Sequence, residues 1–366
     1  MKAITPSMRF RNNFGAIRYI LAFAIFLSHY NILTQSNFWF PITGYYRVCS
    51  FFVMSGFLIY GSFQRSNDWK DYLKNRAWRI LPSYLLTVVA CAFLLVFVSE
   101  LPPADYFLSL QWIKYLIANA LSLNFIEPQL PGVFADHVEP AVNASLWTMK
   151  VEWMLYLFII PVIWFSHKSK WPFWKVFLVI LGFSVVYRWF LLHMAETSGR
   201  ESFRTLDKQI WGQLGFFYSG VFLYVYLEKV KKVKYALAIV SFAVLFVGVT
   251  WFGGHMLFRL LFFPTSLAGL VVSLAFIGQW GKWAEMFENC SYEIYLFHFP
   301  MIHVAVHLGL PDTLGKGLTF CLIFCLTAAL AYVTAKYFSA PIRRAHRSAK
   351  RISMSDEPVA VTKTEA

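Results

Sequence analysis

Apolar stretches of about 20 residues recur along almost the whole chain, and they restrict its fold more than any other feature. An α-helix rises about 1.5 Å per residue, so each stretch can cross about 30 Å of hydrocarbon. Charged residues make up 14% of the 366 residues, whereas soluble domains carry about a quarter. The sequence therefore predicts an all-α fold, a polytopic integral membrane bundle.

Ten stretches are bounded by glycine, proline or charged residues, which favour helix ends. An even number of transmembrane helices places both termini on the same side of the membrane. The predicted helices cover residues 14–33, 44–63, 80–98, 145–165, 172–193, 209–227, 235–251, 256–277, 289–308 and 315–337.

Lysine and arginine are concentrated in alternate connecting segments, and cytoplasmic loops of membrane proteins carry such an excess. The basic segments begin with Lys2, Arg9 and Arg11, recur at 65–79, 168–170 and 229–234, and end at 343–351. Both termini are therefore predicted to be cytoplasmic. Topology accounts for the net charge of +14, so membrane lipids are expected partners and nucleic acid is not. We predict a membrane domain over residues 1–338 and a basic, disordered cytoplasmic tail over 339–366.

Ionisable residues inside the predicted spans indicate function, because a charge at membrane depth costs a few kcal/mol or more. Arg18 and His29 are separated by about 1100° of helical rotation, so they share one face about 16 Å apart. Structural roles are the alternative to a functional one. Arg18 could extend its guanidinium to the membrane interface, and His29 could form a hydrogen bond with a neighbouring carbonyl.

Two further spans carry polar stripes at helical spacing. Aromatic packing explains their tyrosines as well as function does, whereas the glutamate and histidine favour a functional interpretation. The stripes consist of Thr148, Glu152 and Tyr156 in the fourth predicted span and Ser291, Tyr295 and His298 in the ninth.

Five segments of the chain form an ordered set of motifs. They are Arg18-x10-His29, FFVMSGFLI at 51–59, RAWRILPSY at 76–84, LWTMKVEWMLY at 146–156 and SYEIYLFH at 291–298. In this order they resemble acyltransferase family 3, bacterial membrane proteins that modify surface polysaccharides. Two departures are Gly15, where the family often has an acidic residue, and Ser339-Ala340-Pro341, which replaces a closing Glu-x-Pro.

The resemblance implies transfer of an acyl group, most commonly acetyl, from cytoplasmic acyl-CoA to a hydroxyl of an extracytoplasmic or lipid-linked polysaccharide. It also implies a location in the bacterial inner membrane. Acyl-CoA is a donor substrate, and no bound cofactor or metal is expected. The implied residues are His29, Glu152 and His298 for catalysis, Arg18, Arg76 and Arg79 for acyl-CoA phosphates, and Ser55, Trp147, Thr148, Tyr156, Ser291 and Tyr295 for positioning acceptor or carbonyl.

His29 acts either as general base on the acceptor hydroxyl or as nucleophile through an acyl-imidazole, and the sequence leaves both open. Glu152 is expected to orient or charge-pair this imidazole, with His298 or Tyr295 polarising the carbonyl or positioning the acceptor. Alternatives to the enzyme are a transporter or flippase for a lipid-linked sugar, and a non-catalytic subunit of a polysaccharide assembly complex. A transporter would favour internal repeats, and the Arg18–His29 pattern has no second copy.

Overall fold

The computed structural model of this chain describes residues 12–355 apart from 42, 43, 254 and 288, with side chains as far as Ser348. Lys2, Arg9 and Arg11, which support the predicted cytoplasmic N-terminus, lie outside these residues, as does the tail at 356–366. The sidedness of the chain therefore stays a prediction.

The described residues form fifteen α-helices and no strand, which confirms the all-α prediction. Short 3-10 segments at Leu95–Val98, Ala144–Leu146 and Lys282–Met286 and π-helical segments at Phe258–Phe262 and Thr334–Ser339 join some of them. The helices are α1 Phe14–Leu33, α2 Tyr45–Gln64, α3 Trp69–Leu94, α4 Pro103–Leu108, α5 Leu110–Ala120, α6 Trp147–Ser169, α7 Phe173–Ser198, α8 Glu201–Asp207, α9 Ile210–Val225, α10 Leu227–Trp251, α11 Phe263–Phe276, α12 Ser291–His307, α13 Leu310–Thr313, α14 Lys316–Val333 and α15 Ala340–Ser355.

Eight helical segments of the described chain are long and apolar enough to cross a membrane, so the protein is a polytopic membrane protein. They contain α1, α2, α3, α6, α7, α10, α11 and α14, each at a predicted position. The other two predicted spans form α9 and α12, of 16 and 17 residues. These two reach about 24–26 Å at 1.5 Å per residue, less than the hydrocarbon thickness of about 30 Å. Both are largely buried among other helices.

Glycines bring α2 and α9 into direct backbone contact. A Cβ atom on Gly56 would lie 1.9 Å from the carbonyl oxygen of Phe217, and one on Gly220 would lie 2.1 Å from that of Val53. Small residues allow membrane helices to approach closely where lipid supplies no hydrophobic driving force. This contact fixes the position of α2 and therefore of Ser55, the neighbour of Gly56.

The beginning of α1 is anchored by a side-chain amide. Asn13 is buried and donates through Nδ2 to the carbonyls of Leu274 at 3.2 Å and Ile277 at 2.9 Å. Its Oδ1 accepts from the backbone amide of Gly281 at 3.0 Å. The amide thus satisfies backbone groups where α11 ends and fixes the start of the helix that carries Arg18 and His29.

The segment at 99–144 folds over the end of α3 with its own helices, α4 and α5. Tyr106 and Trp112 both donate to the carbonyl of Ala92, at 2.9 and 2.8 Å. Farther along, His137 Nδ1 lies 2.7 Å from Nδ1 of His303 on α12. This segment is therefore bound to the bundle at both α3 and α12.

The predicted disorder of the tail from residue 339 is wrong over residues 340–355, which form α15. One face of this helix packs on α3, where the His346 ring stacks on Trp78 with centroids 5.4 Å apart. His346 Nε2 also lies 3.2 Å from Oδ1 of Asn75. A partner surface supplied by α3 stabilises a helix whose charged sequence, taken alone, is typical of a disordered end.

Candidate active site

A cavity of about 790 Å³ lies between α1, α2, α3, α6, α12 and α15. Its lining includes nine of the twelve predicted site residues, although they come from five helices far apart in sequence. His29, Trp147 and His298 are the three that do not line it. The nine are Arg18, Ser55, Arg76, Arg79, Thr148, Glu152, Tyr156, Ser291 and Tyr295.

The two predicted catalytic histidines contact each other directly. Nδ1 of His29 lies 2.6 Å from Nε2 of His298, and the rings stack with centroids 4.9 Å apart. His298 is buried, whereas His29 is partly exposed. Ile25, one turn before His29, and Tyr295, three residues before His298, both line the cavity. The histidine pair therefore lies about one helical turn beyond the cavity.

A backbone carbonyl determines the tautomer of this pair. Nδ1 of His298 lies 2.6 Å from the carbonyl oxygen of Tyr295, which can only accept a hydrogen bond. Nδ1 of neutral His298 therefore carries the hydrogen, and its Nε2 accepts from Nδ1 of His29. Nε2 of His29 is left with a lone pair, as a general base or nucleophile requires.

Tyr295 links this histidine pair to α6. Its hydroxyl donates to the carbonyl of Ser145 at 2.5 Å and accepts from the Thr148 hydroxyl at 2.6 Å. Its ring centroid lies 5.7 Å from that of His298. The predicted positioning residues Thr148 and Tyr295 thus meet at the end of the cavity nearest the histidines.

Glu152 forms a separate cluster with Tyr156 and Ser55. The Tyr156 hydroxyl donates to Oε1 of Glu152 one turn earlier on α6, and Ser55 Oγ lies 3.3 Å from the same oxygen. The expectation that Glu152 orients His29 is wrong, because His298 holds that position. A helical stripe shows which side chains share a face, but the packing of the helices decides which partner each one meets.

Two predicted positioning residues have local roles. Ser291, at the first turn of α12, donates to Oδ1 of Asn289 at 3.0 Å while lining the cavity. Trp147 begins α6 and packs against the hydrophobic core. Its predicted contact with the acceptor stays a prediction, since it lies outside the cavity lining.

The cavity is strongly basic at the end away from the histidine pair. Arg76 donates through Nη2 to Ser62 Oγ at 2.9 Å, while its buried Nε has no partner among the described residues. Arg18 and Arg79 line the same space, and Glu152 and Glu293 are the acidic residues of the lining that the structure describes. Such a site favours a multiply charged anion.

The sequence interpretation missed four arginines of this lining, Arg65, Arg343, Arg344 and Arg347. The last three lie on α15. Their spacing places them within about 100° of the helix circumference, a signal that was available, but the segment was predicted to be a disordered tail.

Other buried arginines have structural partners. Arg188 on α7 donates to Asp207 on α8 at 2.9 Å, and both side chains are buried. Arg47 donates to the carbonyl of Ala24 at 2.6 Å. Neither residue lines the cavity, so their contribution is to hold neighbouring segments together.

The chain is a helical membrane protein with a histidine pair about one turn beyond an arginine-rich cavity. Comparison with known proteins identifies its family. The model of an acyltransferase domain, that of acyltransferase family 3, matches residues 11–336. The chain belongs to this family and is a membrane acyltransferase.

Two relatives align over most of their length. An O-acetyl transferase of Shigella phage Sf6 is 23% identical over 318 residues, which cover 84% of this chain and 91% of the relative. Nodulation protein 10 of Rhizobium leguminosarum bv. viciae is 24% identical over 330 residues, covering 82% and 85%. No solved structure matches the chain.

Proposed function

We propose that this protein transfers an acetyl group from cytoplasmic acetyl-CoA to a hydroxyl of an extracytoplasmic or lipid-linked polysaccharide in the bacterial inner membrane. The observation that carries the proposal is the oriented histidine pair one turn beyond an arginine-rich cavity. The phage relative is named an O-acetyl transferase, which supports acetyl as the group transferred.

Charge and length support acyl-CoA as the proposed donor. Coenzyme A joins a thioester arm to a diphosphate and a 3′-phosphate, and arginine binds phosphate through paired hydrogen bonds. Arg18 and His29 are eleven residues apart on α1, or about 16 Å. An extended pantetheine arm covers a comparable length, so phosphates at Arg18, Arg76 and Arg79 bring the thioester close to His29.

In the direct route, Nε2 of His29 takes the proton of the acceptor hydroxyl while the hydroxyl oxygen attacks the thioester carbonyl. The carbon–sulfur bond then breaks, and the coenzyme A thiolate takes the proton from the imidazolium. Tyr295 and Thr148 position the carbonyl, and His298 keeps Nδ1 of His29 protonated. In the other route, Nε2 of His29 attacks the thioester carbonyl and the carbon–sulfur bond breaks, which leaves an acyl-imidazolium and the coenzyme A thiolate. The acceptor hydroxyl then attacks the acyl carbon, its proton passes to the thiolate, and the carbon–nitrogen bond breaks to restore neutral His29. Both routes need the same tautomer of His29.

The test uses purified full-length protein in lipid vesicles with labelled acetyl-CoA and host envelope glycan. We expect the wild-type protein to release thiol and acetylate the glycan, and His29→Ala to lose both by a factor of about 10² or more. His167→Ala, which replaces an exposed histidine at the end of α6, is the matched control and should retain activity. Equal transfer by wild type and His29→Ala would contradict the proposal.

A further inference from the structure

The helix that follows the last transmembrane segment forms part of the cavity wall. Ala340, Arg343, Arg344, His346 and Arg347 of α15 all line the cavity. Arg347 lies four residues after Arg343 and three after Arg344, so the three side chains fall within about 100° of the helix circumference. With Arg18 of α1, Arg76 and Arg79 of α3 and Arg65 just after α2, the described part of the lining holds seven arginines and two glutamates.

Contacts with α3 and α12 hold α15 in this position. Arg343 Nη1 lies 4.0 Å from Oε1 of the buried Glu293 on α12. The same glutamate oxygen accepts from Ser83 on α3 at 2.8 Å, and Ser83 in turn lies 2.5 Å from the hydroxyl of Ser339. With the stacking of His346 on Trp78, these contacts fix both ends of the arginine-bearing segment.

Depth within the cavity separates the arginines into two groups. Arg76 is buried and Arg18 is partly buried, whereas Arg79 on α3 and Arg344 and Arg347 on α15 are exposed. In a coenzyme A thioester the diphosphate follows the pantetheine arm, and the 3′-phosphate lies on the ribose at the far end. A thioester near His29 therefore brings the diphosphate to the deeper arginines and the 3′-phosphate to the outer ones.

We propose that α15 completes the donor site and that Arg344 and Arg347 bind the 3′-phosphate of an acyl-CoA. The inference rests on the proposed function, in that the donor is an acyl-CoA. The charge balance supports it, because the diphosphate and 3′-phosphate carry about four negative charges at pH 7. Arg343, paired with Glu293, keeps the helix on the cavity and is a positioning residue.

The test compares the binding of coenzyme A and 3′-dephospho-coenzyme A to the full-length protein in neutral-lipid nanodiscs by calorimetry. Neutral lipid avoids competition from anionic headgroups. We expect the wild-type protein to bind coenzyme A about tenfold more tightly, as one charge-assisted phosphate contact requires. The double variant Arg344→Ala with Arg347→Ala should lose this preference and keep its affinity for the dephosphorylated form.

The matched control is Lys232→Ala, which removes an exposed charge from α10 outside the cavity and should leave both affinities unchanged. Replacement of both arginines by lysine should restore part of the preference, because charge remains while paired hydrogen bonds are lost. A double alanine variant that keeps the wild-type preference would overturn this inference alone. A wild-type protein that binds neither compound would overturn the assigned donor as well.

Discussion

At the scale of single residues, one backbone carbonyl determines the chemistry available to the site. The carbonyl of Tyr295 requires a hydrogen on Nδ1 of His298, and this requirement passes through Nε2 to His29. Each imidazole satisfies the other, so neither leaves an unpaired polar atom between the two rings. The sequence predicted that both histidines are catalytic, but Glu152 was expected to orient His29. The helical stripe on α6 does not show how far Glu152 lies from α1.

Replacing His298 tests whether it orients His29 through this chain of hydrogen bonds. His298→Phe removes the acceptor for Nδ1 of His29, and we expect kcat to fall by a factor of about 10² to 10⁴. The KM for acetyl-CoA should change little, because the arginines that bind the phosphates are unaltered. His298→Gln offers an amide oxygen as a replacement acceptor and should recover part of the loss. Steady-state kinetics that show equal kcat for His298→Phe and wild type would contradict this orienting role.

At the scale of helices, small residues determine how closely the walls of the cavity approach. The apolar stretches of the sequence predicted where most helices lie, because their lengths and the residues at their ends are visible in the sequence. The contact between α2 and α9 was not predictable, since it depends on which glycines of two distant helices meet. The spacing of the α15 arginines showed that they share one side of a helix, but only tertiary packing places that side at the cavity.

Gly56→Ala should destabilise the protein by about 1–3 kcal/mol, the usual cost of overpacking. The added methyl group would meet the Phe217 carbonyl oxygen at 1.9 Å, and backbone must move to make room. Gly182→Ala on α7 is the control, since nothing lies within 4 Å of its added Cβ atom. It should be neutral or stabilise by about 0.5–1 kcal/mol. Thermal unfolding in detergent gives the comparison, and equal shifts for the two variants would contradict the close contact.

Because His137 is packed against α12, the free energy of unfolding is expected to depend on the protonation of His137 and therefore on pH. Burial lowers the pKa of His137 below its ordinary value of 6.5 and His307 adds to this, whereas Asp136 opposes it. The unfolded chain therefore takes up this proton first as the pH falls. The stability that His137 contributes is present above about pH 6.5 and is lost as the pH falls toward the lowered pKa.

We expect the wild-type unfolding temperature to fall more than that of His137→Gln between pH 7.5 and pH 5.5. His193→Gln, at an exposed histidine of α7, should behave as wild type. Identical pH dependence of wild type and His137→Gln would show that the neutral His137–His303 contact contributes nothing.

At the scale of the whole molecule, the cavity and the histidine pair divide the protein into two functional ends. The arginine-rich end adjoins segments 65–79 and 343–347, which the distribution of positive charge predicts to be cytoplasmic. His29 lies toward the opposite end of α1 from Arg18. We therefore propose that the donor enters at the basic face and delivers its acyl group toward the other face.

Sidedness of transfer tests this claim most directly. Acetyl-CoA is supplied to one face of sealed vesicles of known protein orientation, and acetylated acceptor glycan is measured at the other. We expect transfer only when acetyl-CoA reaches the face bearing segment 65–79. Equal transfer from acetyl-CoA on the opposite face would contradict it.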